Sequence, residues 1–256
     1  MPFPAGYSEA IKTPEQSRNI ESVWSYVAEQ TGTSTILPDG RCDVILRYNT
    51  TSEKTACPIL TGPATKPYQV VFEPGDAWVG VRLRPGHGQA IWAKDLPGAR
   101  NQVVRGPAAL KWLPELKVAL DCLPVLSDLR TILGTLPSLQ STSADEVALG
   151  PVIEQIHMSG GRVRIEALAG RLDCSTRHLN RHFTDAVGIS AKDYSRLAQF
   201  HRALNLVRVH GLKLVDAAFE AGYADQSHMA RAMKTFGGFP PSRIPEDLSL
   251  PNLFGE

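Results

Sequence analysis

Between residues 160 and 245 the apolar positions form two matching runs. Ile165, Leu168, Ala169 and Leu172 stand at steps 0, 3, 4 and 7, the spacing of one helix face. Leu214, Ala217, Ala218 and Ala221 repeat those steps about fifty residues later. Each run leads through a turn into a second, polar-faced stretch: "STRHLNRHF" from Ser175, and "QSHMARAMKTF" after "GYAD". Each copy therefore predicts a short amphipathic helix, a tight turn and a second helix, the outline of a helix-turn-helix. Between the copies, residues 191–209 are periodic, with Phe200, Ala203, Leu204 and Val207 on one face and no Gly or Pro. At 1.5 Å per residue they predict one helix of roughly 27 Å. Such a spacer suits the ~34 Å period of successive major grooves.

The first 110 residues carry a different pattern. Short β-prone runs at 23–28, 43–48, 69–72 and 78–83 are separated by the turn signals "LPDG", "TGP", "EPGD" and "RPGHG". They predict a small β-sandwich or barrel. In the last run Trp78, Gly80, Arg82 and Arg84 share one face, and Val79, Val81 and Leu83 the other. Residues 112–136 turn leucine-rich, and Leu129, Ile132, Leu133 and Leu136 keep helical spacing. "LPSLQSTSAD" at 136–145 reads as a polar linker, and Val152, Ile153 and Ile156 as a helix ended by Gly160-Gly161. The fold class is α+β. A β domain is expected over 1–110, a helical connector and linker over 111–145, an all-α tandem helix-turn-helix domain over 146–245, and an acidic tail over 246–256.

Charge follows these boundaries. Residues 160–245 hold 13 Lys/Arg against 7 Asp/Glu, residues 1–159 hold 14 against 16, and the tail 0 against 3. The modest basic excess of the helical segment fits a phosphate-facing surface. The four cysteines, Cys42, Cys57, Cys122 and Cys174, form no CxxC and no zinc-spaced cluster. The start "MPFPAGYSEA" lacks a charged n-region and an apolar h-region, and no stretch approaches ~20 apolar residues. A reducing cytoplasmic setting, without membrane contact, is expected.

The second helix of a helix-turn-helix enters the major groove, so its outward face must carry hydrogen-bonding side chains. In the first copy Leu179, Phe183 and Ala186 form the inward stripe. Ser175 is placed to cap the helix, and Thr176, Arg177, Asn180, Arg181 and Thr184 face outward. In the second, Met229, Ala232, Met233 and Phe236 face inward, while Gln226, Ser227, Arg231 and Lys234 lie away from them and His228 at the flank. Gln226 and Arg231 are assigned to base edges and Lys234 to phosphate. Ala224 occupies the position equivalent to Ser175, so the first unit is expected to carry most of the discrimination. His178 and His182 are four apart without an acidic or Cys ligand in step, and read as packing or phosphate contacts.

At these residues the chain resembles the AraC/XylS family of transcription regulators. The resemblance rests on Leu168, Ala169, Ser175, Leu179, Phe183, Gly188, Ser190 and Tyr194, on Ala203 and Leu204, and on Ala218, Gly222, Tyr223, Asp225, Gln226, Ser227, Arg231, Gly238 and Pro241. It covers about residues 150–245 and implies two DNA-binding units joined by a long helix. Double-stranded DNA is the implied partner, with RNA polymerase a further one. Gln199 stands where the family's linker helix usually has Arg, and Met229 and Met233 stand at positions usually filled by Phe or Leu. "LPDGRCDVIL", Gly62-Pro63 and "VGVRLRPG" resemble the N-terminal domain of one subgroup, implying a cupin-like barrel followed by helices.

Two readings of the N-terminal part stand side by side. Trp24, Tyr26, Trp78 and Trp92 around Asp39, Arg41, Asp43, Arg82 and Arg84 suit a pocket for a small-molecule effector, for which Trp24, Asp39, Arg41, Trp78 and Arg82 are the named candidates. The same residues suit a small aromatic core, with Asp39-Gly40 as a turn and Arg82 paired to Asp43. His87 is the only His before His157, which leaves no cupin-type metal set and no implied cofactor. Helices over 113–136 serve either as a homodimer surface or as packing under the barrel. An enzymatic or ligand-binding barrel with an accessory DNA-binding domain is the alternative whole-chain reading. It lacks any GxSxG, HExxH, P-loop or His/Cys cluster to carry catalysis.

Overall fold

The alternation read from "WVGVRL" is the organising feature of the N-terminal half in a computed structural model of the chain, which describes residues 6–11, 17–51, 56–122, 136–140, 144–245 and 248. Eight strands are formed: β1 Gly6–Ile11, β2 Ile20–Val27, β3 Gly32–Ile36, β4 Asp43–Asn49, β5 Cys57–Thr61, β6 Tyr68–Phe72, β7 Asp76–Leu83 and β8 Val103–Arg105. Six make an antiparallel sheet in the order β1-β2-β7-β4-β5-β8, and β3 pairs with β6 as a separate ribbon. Among the described strands β1 and β8 are the sheet's edges, so this is a sheet-and-ribbon layer rather than a ring closed by hydrogen bonds.

Period-two alternation divides the sheet's side chains between two cores. Val23, Val44, Leu46, Leu60, Val79, Val81 and Leu83 belong to one apolar cluster. It is filled by Ile91 and Trp92 of α1 (Gln89–Trp92), Ala109 of α2 (Pro107–Trp112), and Leu116 and Ala119 of α3 (Leu116–Cys122). Ile45, Ile59 and Trp78 belong to the other, beneath Val70 and Phe72 of the ribbon. Gly80 is where Trp24 crosses β7: a Cβ there would lie 2.2 Å from the indole.

Leu113 and Leu136 bound the leucine-rich stretch for which the sequence leaves open a dimer surface or packing under the β domain. Leu113 and Leu136 are 3% and 1% exposed and sit in the sheet core, so their apolar faces are taken up under the sheet. Leu139 is likewise 0% exposed, in a 3-10 turn over Pro137–Gln140. Leu136 and Leu139 of the expected polar linker are thus buried, while Pro137 is exposed and Ser138 half-buried. The periodic positions Leu129, Ile132 and Leu133, and the acidic tail except Leu248, lie outside the described residues.

The C-terminal half begins with α4 (Ala144–Met158) and continues with α5 (Ile165–Arg171), α6 (Thr176–Val187), α7 (Ala191–Arg208), α8 (Leu214–Glu220) and α9 (Gln226–Ala232). Gly160 and Gly161, both with positive φ, end the α4 region as expected. The two halves share a boundary of named contacts. Leu37 is 4% exposed within the apolar cluster of Leu197, Phe200, Leu204 and Phe236. His201 Nε2 lies 2.7 Å from the Pro38 carbonyl; a carbonyl only accepts, so this nitrogen donates. Gly40, at φ +70°, leaves just enough room for the Tyr194 ring, 3.0 Å from where a Cβ would stand. Gln89 Nε2 donates to the Asp185 carbonyl over 3.0 Å.

Candidate nucleic-acid interface

Each helix pair is held by an apolar interior and a cap. In the first, Leu168 and Ala169 of α5 meet Leu179, Phe183, Ala186 and Val187 of α6. The turn between them carries Asp173 at φ +50°. Ser175 then breaks from the helix, and its hydroxyl accepts from His178 N over 3.2 Å. In the second, Ala217 and Ala218 of α8 meet Met229, Ala232, Met233 and Phe236, with both methionines 0% exposed. Here the cap is Asp225, whose carboxylate accepts from His228 N over 2.6 Å. Ala224 is not the cap: three residues separate α5 from Ser175, whereas four, 221–224, separate α8 from Asp225. The second turn is one residue longer, which moves its cap one position on.

The capped helices present the expected polar groups, with two exceptions. Ser175, Thr176, Arg177 and Arg181 are exposed on the first unit, and Gln226, Ser227, His228, Arg231 and Lys234 on the second. Arg181 Nη2 lies 3.4 Å from His178 Nδ1 on the same face. Asn180 is only half exposed, and its Oδ1 is buried without a hydrogen-bond partner among the described residues. Thr184 beside it is also half-buried and donates to the Asn180 carbonyl over 2.7 Å. Both sit at the edge of the α5–α6 contact rather than fully outward. The rings of His178 and His182 are 6.2 Å apart, and no group of three His, Cys, Asp or Glu among the described residues is arranged to hold a metal ion.

Helix α7 joins the two units and spans 18 residues. Ser190 caps it, accepting from Asp193 N and donating to Asp193 Oδ2. Gln199 Nε2 donates to the Ala221 carbonyl over 3.0 Å, and Arg202 Nε to the Glu220 carbonyl over 3.2 Å. These two side chains satisfy carbonyls left open at the C-terminal end of α8. Gln199 therefore has a structural partner at the position where resemblance anticipates Arg. Between α7 and α9 lies a cavity of about 320 Å³, lined among others by Arg196, Tyr223, His228 and Arg231. Arg196 drew no notice in the sequence because its neighbours on α7 are buried.

Of the candidate effector residues, Trp24, Asp39, Arg41 and Arg82 come together and Trp78 is engaged by other partners. Trp24 Nε1 donates to Asp43 Oδ1 over 3.1 Å, and Arg82 lies 3.4 Å from Asp43, 3.6 Å from Asp39 and 3.8 Å from Glu9. Trp24, Asp39 and Arg82 thus form one network, with Arg82 paired to Asp43. Burial pushes the Asp43 carboxyl up to about 6, against the pull of Arg82. Trp78 packs instead against Tyr26 and Phe72, and Arg47 lies 5.2 Å over its ring. Arg41 is buried beside the Asp39–Arg82 network: its backbone N donates to Asp39 Oδ1 over 2.9 Å and its Nη1 to the Asp39 carbonyl over 3.1 Å, and two of its nitrogens bond Glu21. Trp92 is on the opposite side of the sheet, donating to the Thr61 carbonyl over 3.1 Å.

Residues 168–246 match a helix-turn-helix domain family, and residues 13–105 match a domain family of unknown function, DUF6597. Over 55 residues the chain is 40% identical to an uncharacterized HTH-type transcriptional regulator, YbfI, of Bacillus subtilis strain 168. The matched stretch is 22% of this chain and 20% of that relative's length. Among solved structures, ToxT from Vibrio cholerae aligns over 93% of this chain and 97% of its own at 8% identity and a TM-score of 0.43. The C-terminal domain of AraT, a response regulator from Geobacillus stearothermophilus, aligns over 41% of this chain and 96% of its own, at 22% identity and a TM-score of 0.33. Scores of this size do not equate the folds. No described helix is long and apolar enough to cross a membrane. The C-terminal part of the chain is a helix-turn-helix domain of the kind that DNA-binding transcriptional regulators carry.

Proposed function

We propose that the whole chain is a sequence-specific, DNA-binding transcription regulator of the AraC/XylS type, acting in the cytoplasm. Its two recognition helices, α6 and α9, enter successive major grooves with α7 as the spacer. The observation that carries this reading is the pair of N-capped helices with exposed Thr176, Arg177, Arg181 and Gln226, Ser227, Lys234, braced by one continuous helix. Arg pairs with guanine O6 and N7, and Gln with adenine. The N-terminal half serves as the regulatory module. The network of Trp24, Asp39, Asp43 and Arg82 is the place in it with chemistry for a small polar effector. A homodimer through the 113–136 stretch would use the outward side of α3, where Val118 is 52% exposed.

The test begins with selection of duplexes from a randomised library by the full chain. Arg181→Ala is expected to cost about 1–3 kcal/mol on the selected duplex and to relax preference at one position. An unchanged selected motif would remove Arg181 from base reading. Failure of the wild-type chain to enrich any duplex would overturn the function itself.

A further inference from the structure

The groove between α7 and α9 has a composition that the helix-turn-helix outline does not require. It is lined by Arg196, Gln199, Tyr223, His228, Arg231 and Thr235, together with Ala232. Three of these are basic and none is a carboxylate. Arg196 is held in place by the Phe236 ring, 5.6 Å beneath its guanidinium, and by Asp193 Oδ1 at 3.8 Å. Its side chain remains 49% exposed. Arg231 stands in the last turn of α9 and is exposed. Tyr223 is buried, its ring meeting the edge of His228 at a centroid distance of 5.1 Å. Burial raises the Tyr223 hydroxyl pKa, so it keeps its proton at neutral pH.

Guanidinium groups offer donors and no acceptors. A groove walled by two of them has little to offer a cation, whereas an anion with several acceptor oxygens matches it. The groove also opens where α9 would face DNA. In helix-turn-helix docking it is the N-terminal residues of the second helix that touch base edges. Gln226 and Ser227 occupy that end, while Arg231 lies at the other and shares the groove with α7.

We infer that this groove seats a phosphate of the DNA backbone between Arg196 and Arg231, and that Arg231 is a phosphate ligand rather than a base reader. The inference rests on the DNA-binding function proposed above. It adds Arg196, a residue of the spacer helix, to the contact surface. It also moves Arg231 from the base edge, where sequence alone placed it, to the strand. Phosphate contacts fix register without carrying sequence information.

The experiment measures binding of the full chain to its best selected duplex and to a scrambled duplex, between 50 and 200 mM salt. Arg196→Gln and Arg231→Gln are each expected to weaken both duplexes by the same factor. Each should lower the log–log salt slope by about 0.9, so that affinity falls about 3.5-fold less across that salt range than for the wild type. Arg196→Lys, which keeps the charge, should retain the slope; thermal melts of each variant report on the fold separately. An unchanged slope in both Gln variants, with the wild type binding normally, overturns the phosphate site alone. A changed selected motif for Arg231→Gln returns that residue to base reading and overturns its assignment here. Tight binding of inorganic phosphate or a mononucleotide that leaves duplex affinity untouched would make the groove a small-anion site and also overturn it. A wild-type chain that binds no duplex overturns both this inference and the function beneath it.

Discussion

Ser175 and Asp225 illustrate what one side-chain oxygen does for a reading head. Each accepts a backbone N–H from the first turn of its helix, the turn that carries Thr176 and Arg177 or Gln226 and Ser227. Replacement of such a cap by Ala costs about 1 kcal/mol. Ser175→Ala and Asp225→Ala are each expected to lower the unfolding free energy by that amount, and Asp225→Asn to restore most of it; chemical denaturation followed by far-UV circular dichroism measures all three. An Asp225→Ala chain as stable as the wild type would show that the second cap contributes nothing. Asp225 also brings a negative charge to the helix's positive end, which Ser175 does not. The residue pattern alone points to Ser175 correctly and misses Asp225, because two copies aligned on their apolar steps hide a one-residue insertion in the second turn.

At the scale of elements, α7 does more than separate the two units. Gln199 and Arg202 hold the last carbonyls of α8, so the second unit is anchored to the spacer through its backbone. Loss of one such neutral hydrogen bond costs about 1 kcal/mol. Gln199→Ala is expected to speed amide hydrogen exchange through 214–225 while leaving 165–187 unchanged. Equal protection in both segments would show that the anchor is unimportant. The extent of α7 was legible, read as 191–209 and formed as Ala191–Arg208, because an uninterrupted 3.6-residue period leaves few alternatives. The strands were legible where alternation was strong, as in β7, or where β-branched and apolar residues run together, as in β4. "GTSTI" and "CPILT" carry no such alternation, and β3 and β5 form because partners are available at the right register, a property of the sheet rather than of the segment. The buried Leu139, in a stretch that reads as polar, likewise depends on a partner surface rather than on its own segment.

In the whole molecule the boundary between halves is the part the sequence concealed most completely. "LPDG" reads as a surface turn, yet Leu37 and Pro38 touch α7 across the chain. Two histidines are enclosed there. Burial, helped by the charge of Arg41, holds His157 down to about 3. Burial also holds His201 down to about 4, with Arg41 adding to it and the Pro38 carbonyl and Asp39 opposing. His157 Nε2 lies 2.7 Å from the Tyr194 hydroxyl, and Arg41 is bonded to Glu21 nearby. Both imidazoles stay neutral in the fold and take up protons near pH 6.5 once unfolded. The unfolded chain therefore binds more protons between about pH 4 and 6.5, and stability falls as the pH is lowered through that window. Asp43, with its raised pKa, works in the opposite direction between about pH 4 and 6 but is one group against two. Urea denaturation at pH 7 and pH 5 should show the loss, and His201→Gln should reduce it. A wild-type midpoint independent of pH would contradict this account.

Leu37 also bears on how the chain can be divided. A residue of the N-terminal half completes the apolar interior of the DNA-binding half, so the two are not freely interchangeable parts. Grafting another N-terminal domain onto α4–α9 would leave a Leu-sized void against Leu197 and Phe200 unless the graft brought its own loop to the same spot. A cut between the two halves of this chain therefore takes this small plug from the half that needs it.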